Sequence, residues 1–417
     1  MKFLLYSIFI SLLAINCISG AVFERQMRTS KKLIGYYRLN ENWVLDMGYL
    51  PWGYYTDVVF QGLMPFDNWQ IKAATNYENR IKDDASKNFT AYAQQYGVTP
   101  LLGLGGKEAT EFSIYMQDEY RSNFVKNVLS LVTTYKYSGI AIDWQSPGMD
   151  TIGCAITAQN DLQNFGKFLQ ELKSQSGNLK IVVRTTLRGF LSTSGQQPSS
   201  SDMQSMVSNV DIFDLITYDT YTPNNGRTSG PSSILSSKCD SSKSDFAIDT
   251  AVGRLNQQGI PVSKITLSFP DYARLYYLNS GFQPLRGISQ SHSGSALRGG
   301  VIDVWAGSYN TCGQKRPYEG IYLFQELALI PILSQNGDMG ENNYTRVYDS
   351  CYEAPYLYNS ATGEFLLTYE DGQSLNVKAQ WAATQGLAGV SIFGMIGYQQ
   401  NVLQNISMGL GSSSNNY

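Results

Sequence analysis

The side chains best placed to do chemistry lie in one stretch, Tyr137-Ser-Gly-Ile-Ala-Ile-Asp-Trp-Gln-Ser-Pro147. Read as a strand, it alternates its side chains between two faces. Ile140, Ile142 and Trp144 share one face, which suits packing under helices and makes Trp144 structural. Ala141, Asp143 and Gln145 share the other. A carboxylate and an amide are costly to bury without partners. Asp143 accepts hydrogen bonds; Gln145 donates one but has no proton to give up. Gly139 and the Pro147-Gly148 pair bound the element. A buried strand ending in polar groups aimed one way is the pattern of a barrel strand opening into a site. The single histidine, His292, lies in a Ser/Gly-rich loop and is expected to be exposed. With no Cys or acid cluster beside it, it makes neither a metal site nor a Ser-His-Asp set.

The stretch resembles the fourth-strand signature of family 18 glycoside hydrolases, the chitinases, D-G-x-D-x-D-W-E, often followed by an aromatic residue and Pro. Gly139, Asp143, Trp144 and Pro147 match. Ser138 stands for the first Asp, Ala141 for the second, and Gln145 for the final Glu. In the family that Glu donates the proton, and the Asp two residues earlier assists the acetamide of the substrate. The resemblance therefore implies the scaffold without its acid. Glu108, Glu111 and Asp219 are the carboxylates nearest to replacing it, but surface carboxylates are ordinarily just solvated.

The elements that would position these groups follow along the chain. Lys32–Tyr37, Tyr55–Gln61 and Val98–Gly106 read as the first three strands. The third ends in a Gly pair and resembles the family motif S-x-G-G, with Gly103 for Ser. Helical spacing runs from Tyr77 to Tyr96, from Phe112 to Tyr135 and from Asp161 to Lys173. Lys180–Thr186 is the fifth strand. Residues 191–202 and 221–244 read as loops. Val210–Asp219 is the sixth strand, and its end resembles M-x-Y-D, with Tyr218 and Asp219 matching and Ile216 standing for the Met. In the family this Tyr and Asp meet the acetamide at the cleavage subsite. Phe246–Gln258 looks helical. Lys264–Pro270 is the seventh strand, followed by Pro270, Tyr272 and Arg274 of a G-x-P-x-Y-G-R pattern from which Ser268 and Ala273 depart. Ser374–Gly386 is helical. Leu387–Gly394 is the eighth strand, where Phe393 replaces the Trp that floors the bound sugar. Strand and helix alternating eight times give a (β/α)8 TIM barrel. The expected division is a leader at 1–21, the barrel at 22–274 and 367–417, and a small α+β insertion at 275–366 between strands seven and eight.

The resemblance implies glycan contacts at Asp143, Gln145, Tyr218, Asp219, Tyr272, Arg274 and Phe393. A purely structural role stays open for Asp143, Tyr218, Arg274 and Phe393. Trp43, Trp52, Trp69 and Trp305 are the tryptophans expected to be exposed for stacking. The Met-Lys start, the apolar run Phe3–Ile15 and small residues at Ser19, Gly20 and Ala21 read as a secretory leader. Cys154, Cys239, Cys312 and Cys351 then remain, an even count that suggests two disulfides in three possible pairings. Cys312 with Cys351 and Cys154 with Cys239 is the favoured set. Asn88, Asn343 and Asn405 open glycosylation sequons. A net charge of −3 points to neither nucleic acid nor an anionic membrane, and no stretch after the leader is apolar enough to span a bilayer. No cofactor or metal is implied. Three functions are in view. The first is a secreted chitinase-like lectin without hydrolytic activity, binding chitin or another N-acetylglucosamine glycan. The second is a secreted signalling or structural protein with protein partners and no glycan. The third is a residual glycosidase with a relocated acid.

Overall fold

The computed structural model describes residues 30–38, 47–66, 70–73, 79–107, 109–150, 153–303 and 309–411. The expected leader, Trp43, Trp69, Trp305 and Glu108 lie outside the described residues.

Runs of β-branched and apolar residues form the strands β1 (Lys32–Arg38), β2 (Asp57–Phe66), β3 (Gln70–Ala73), β4 (Thr99–Gly105), β5 (Gly139–Asp143), β6 (Lys180–Thr186), β7 (Ile212–Ile216) and β8 (Ile265–Pro270). The chain then makes β9 (Tyr272–Tyr277), β10 (Ile321–Leu323), β11 (Tyr344–Asp349), β12 (Ala354–Asn359), β13 (Phe365–Thr368) and β14 (Gly389–Phe393). Strands β1, β2, β4, β5, β6, β7, β8 and β14 pair in parallel, and β1 closes the ring with both β14 and β2. This is a closed (β/α)8 barrel. β3 is an antiparallel hairpin partner of β2. The other strands form a separate antiparallel sheet, ordered β10-β9-β13-β12-β11, between the seventh and eighth barrel strands. That sheet begins at Tyr272, three residues before the expected start of the insertion.

The glycines of β4 have a steric cause. A Cβ on Gly103 would fall 2.5 Å from Gln61 Oε1 and 2.6 Å from the Phe60 carbonyl. Gly105 adopts φ +99°, open to glycine at little cost.

Several helical expectations need correction. The helix expected from Phe112 to Tyr135 is two, Phe112–Tyr115 and Arg121–Thr134. Arg121 donates to the Met116 carbonyl and to Asp118 and so secures the turn between them. The Ser-rich segment 191–202 is not all loop, because Ser199 and Asp202 make a reciprocal capping box that starts a helix at Ser200–Asn209. His292 is fully buried, against the exposed position expected; it packs on the Tyr276 ring at 5.0 Å and accepts from the Gly294 N–H. Trp52 is also fully buried, stacked near Tyr92 with its indole N–H on the Met47 carbonyl, so it offers no platform. Trp144 packs against Phe112 and Phe165, under the helices. Asn88 and Asn343 are exposed; Asn405 is half-buried with its amide on the Asn401 carbonyl.

The favoured cysteine pairing is contradicted. Cys154 is bonded to Cys312, with Cα atoms 5.6 Å apart, and Cys239 and Cys351 are free thiols. The turn Asn310–Gln314 carries Cys312 to the loop that follows β5. Cys351 instead meets Cys239: burial first, then that neighbour, push its thiol up to about 12. Mapping of a non-reducing digest should recover a Cys154–Cys312 peptide, and a Cys154–Cys239 or Cys312–Cys351 peptide would contradict the fold.

Glu326 sets a pH dependence. Its carboxylate is buried and accepts the Val301 and Leu323 N–H groups at 2.7 and 2.8 Å. Burial raises it from 4.5 to about 7, more than those hydrogen bonds lower it. The folded chain thus binds this proton more tightly than the unfolded one. The resulting stability is present below 4.5 and is lost as the pH rises through about 7. Thermal melts of Glu326→Gln should lack that part of the decline, whereas a wild-type-like fall between pH 4.5 and 7 would refute the assignment.

Candidate active-site cleft

The barrel interior is stacked in layers. Ile34, Tyr36, Val59, Leu101, Ala141, Val182 and Ile212 form a buried apolar cluster. Ala141, where the family signature has an acid, is part of it. Two residues further along the same strand faces, toward the C-terminal mouth, the interior becomes ionic. Val182 is followed on its face by Arg184, Ala141 by Asp143 and Ile212 by Asp214.

Arg184 is 1% exposed and joins the walls of the mouth. Its Nη1 donates to Asp143 Oδ2 at 2.8 Å, its Nε to Asp214 Oδ2 at 3.2 Å, and its Nη2 to the Tyr218 hydroxyl at 2.8 Å and Ser268 Oγ at 3.2 Å. The guanidinium carbon lies 4.7 Å from the ring centres of both Tyr36 and Phe393. Burial alone would lower its pKa, but Tyr218, Asp143, Tyr36 and Asp214 outweigh that and hold it above the ordinary arginine range. Asp214 also accepts from Tyr36, Thr266 and Ser391. Every member of this cluster is therefore paired, which a buried charge requires.

Both Asp143 oxygens are engaged: Gln145 Nε2 donates to Oδ1 at 2.9 Å while Arg184 holds Oδ2. Gln145 itself is partly exposed. Tyr218 is buried, which raises its hydroxyl pKa and keeps it protonated. Asp219 follows with φ +61°, uncommon for a non-glycine residue. It is held there by the Tyr272 hydroxyl at 2.9 Å and by the Arg274 fork at 2.9 and 2.7 Å. Arg274 also reaches the Glu319 carboxylate at 3.2 Å. Arg38 binds the buried Asp271 at 2.9 Å and lies 5.3 Å from the Phe393 ring centre. Phe393 is half-exposed and packs at 5.8 Å on both Tyr36 and Tyr218.

The geometry thus brings Asp143, Gln145, Tyr218 and Phe393 together around Arg184, with Asp219, Tyr272 and Arg274 adjoining them. Ser138 does not join; it is exposed, before β5 begins. Glu111 accepts from the Tyr115 hydroxyl. Of the seven expected contact residues, Gln145, Asp219 and Phe393 reach solvent, and the four others are buried and fix their positions. The sequence reading passed over Arg184, Asp214, Tyr36, Arg38 and Asp271. A charge within each of the apolar strands Lys180–Thr186 and Ile212–Ile216 was the available signal, since each needs a partner across the barrel.

The model of glycosyl hydrolases family 18 matches residues 32–396. The chain belongs to that family. A chitinase-like effector of Moniliophthora perniciosa is 26% identical over 351 residues, covering 82% of this chain and 78% of the relative. Its counterpart in Moniliophthora roreri is 25% identical over 330 residues, covering 76% and 78%. Among solved structures, a chitinase of Rhizomucor miehei superposes with a TM-score of 0.76 at 21% identity, covering 91% of this chain and all of that one. A Glu→Gln mutant of the Nicotiana tobaccum class V chitinase in complex with NAG4 gives 0.69 at 18% identity, covering 91% and 99%. These likenesses carry the fold of this family 18 chain.

Truncating Arg184 strands two buried carboxylates. Arg184→Ala should cost about 3–5 kcal/mol of stability, read as a lowered denaturation midpoint in urea. A shift within error would mean that the ionic cluster does not hold the barrel mouth together.

Proposed function

We propose that this chain is a secreted, non-hydrolytic chitinase-like protein that binds N-acetylglucosamine oligosaccharides along the barrel cleft. The observation that carries the reading is the state of Asp143, held by Arg184 on one oxygen and by Gln145 on the other. Cleavage in this family is substrate-assisted, with the sugar's own acetamide as nucleophile. That route depends on a protein acid to protonate the leaving oxygen, a contribution of about 10²- to 10⁴-fold. Gln145 cannot supply the proton. A carboxylate already neutralised by a guanidinium also does little for the positive charge that develops on the sugar, and Arg184 adds a fixed charge of the same sign. The site opposes the transition state in two independent ways.

Loss of rate does not entail loss of affinity, because ground-state and transition-state contacts are separate. Gln145 and Asp219 reach solvent at the mouth and supply an amide and a carboxylate for a pyranose chain, with the half-exposed Phe393 beside them. The tobacco Glu→Gln mutant in complex with NAG4 is a precedent on this fold for an acid-to-amide change that keeps the sugar. The names of the Moniliophthora relatives fit a non-digestive role, and the leader at residues 1–21 fits export. The second reading, a secreted protein acting on protein partners, draws on the same Arg184 cluster, since a mouth filled by its own side chains has less room for a glycan.

Calorimetric titration with chitin hexasaccharide separates the two. Micromolar binding is expected, weakened about tenfold by Gln145→Ala, the size of one lost hydrogen bond. No heat at millimolar sugar would sink the glycan reading. Gln145→Glu alone should release no shorter sugars, because Arg184 still neutralises Asp143; turnover by that variant would refute the electrostatic part of the account.

A further inference from the structure

We infer that Arg184 fills the pocket in which an N-acetyl group would otherwise sit, so that the cleft holds a glycan everywhere except at its deepest position. The inference deepens the proposed glycan binding and rests on it. Three observations support it. The guanidinium carbon sits 4.7 Å from the ring centres of both Tyr36 and Phe393, and Phe393 stands where the family's sugar floor belongs. It donates to two groups the resemblance assigns to the acetamide, the Asp143 carboxylate and the Tyr218 hydroxyl. It is also locked: with 1% exposure, two carboxylates, a phenol and a serine hydroxyl on its nitrogens, it has no second place to go.

The ionic cluster also explains why this plug does not swing aside for a ligand. Moving Arg184 out would leave Asp143 and Asp214 buried without their cation, an arrangement far costlier than the gain from one acetamide contact. The Tyr36, Thr266 and Ser391 hydroxyls on Asp214 are oriented toward that carboxylate and would not replace the charge. Arg184 is thus a specificity-determining residue. It closes the subsite that tells an N-acetylated ring from a plain one, and it leaves the rim to bind pyranose rings by their hydroxyls.

The test compares two tetrasaccharides with the same backbone, NAG4 and cellotetraose, by calorimetry. Wild type should discriminate weakly between them. Arg184→Ala, paired with Asp214→Asn to remove one stranded charge, should bind NAG4 about tenfold tighter and leave cellotetraose unchanged. Arg184→Lys keeps a cation for both carboxylates while withdrawing the planar fork from the Phe393 ring; it should show a smaller gain of the same kind, and it serves if the double variant does not fold. Unchanged NAG4 affinity in the folded variants, or an equal gain for both sugars, would overturn the assignment. Gain in the variants with no binding by wild type would keep the plug and remove glycan binding from the natural protein.

Discussion

A single buried guanidinium ties the barrel mouth together. Arg184 extends from β6 and is bonded to side chains of β5, β7, the segment after β7, and β8, so its charge is compensated by strands on both sides. An isolated ion at this depth would carry a desolvation penalty of several kcal/mol. Two carboxylates and two hydroxyls offset it here. The same pairings determine the chemistry. Asp143 cannot serve both as a counter-ion to Arg184 and as a free carboxylate for a developing cation. A barrel stabilised in this way has its polar centre committed to itself.

Around that centre further charges are paired, each at its own point on the rim. Arg38 holds Asp271, and Arg274 holds Asp219 and Glu319. The Cys154–Cys312 bond then links the loop after β5 to the inserted segment between β9 and β10, across 158 residues of sequence. Groups at the mouth are therefore preorganised, which favours binding because less freedom is lost when a ligand arrives. They are preorganised around an amide and a paired carboxylate, the arrangement on which the proposed non-hydrolytic reading rests.

Most of the barrel was readable from the chain, for a physical reason. Parallel barrel strands are buried on both faces and appear as short apolar runs, as in Lys180–Thr186, and helices between them show a 3.6-residue period. What escaped was decided by distant partners or by local capping. His292 lies in a polar segment, yet the ring is buried on Tyr276. The helix at Ser200 starts from a capping box inside a serine-rich run that resembles a loop. The disulfide depends on how a turn at Asn310–Gln314 meets the loop after β5, and no spacing rule encodes that meeting. The site divided in the same manner. Asp143, Gln145 and Tyr218 could be found because each sits in a motif, and Arg184 was missed because its meaning lies in the four strands it joins.

The most direct test of the account is a crystal structure of the wild-type chain grown with chitin hexasaccharide and left for days before freezing. The expected result is an intact hexasaccharide lying over Gln145 and Asp219, with the Arg184 guanidinium still bonded to Asp143 and Asp214. Shortened sugar in the cleft, or an N-acetyl group in the place of that guanidinium, would contradict it.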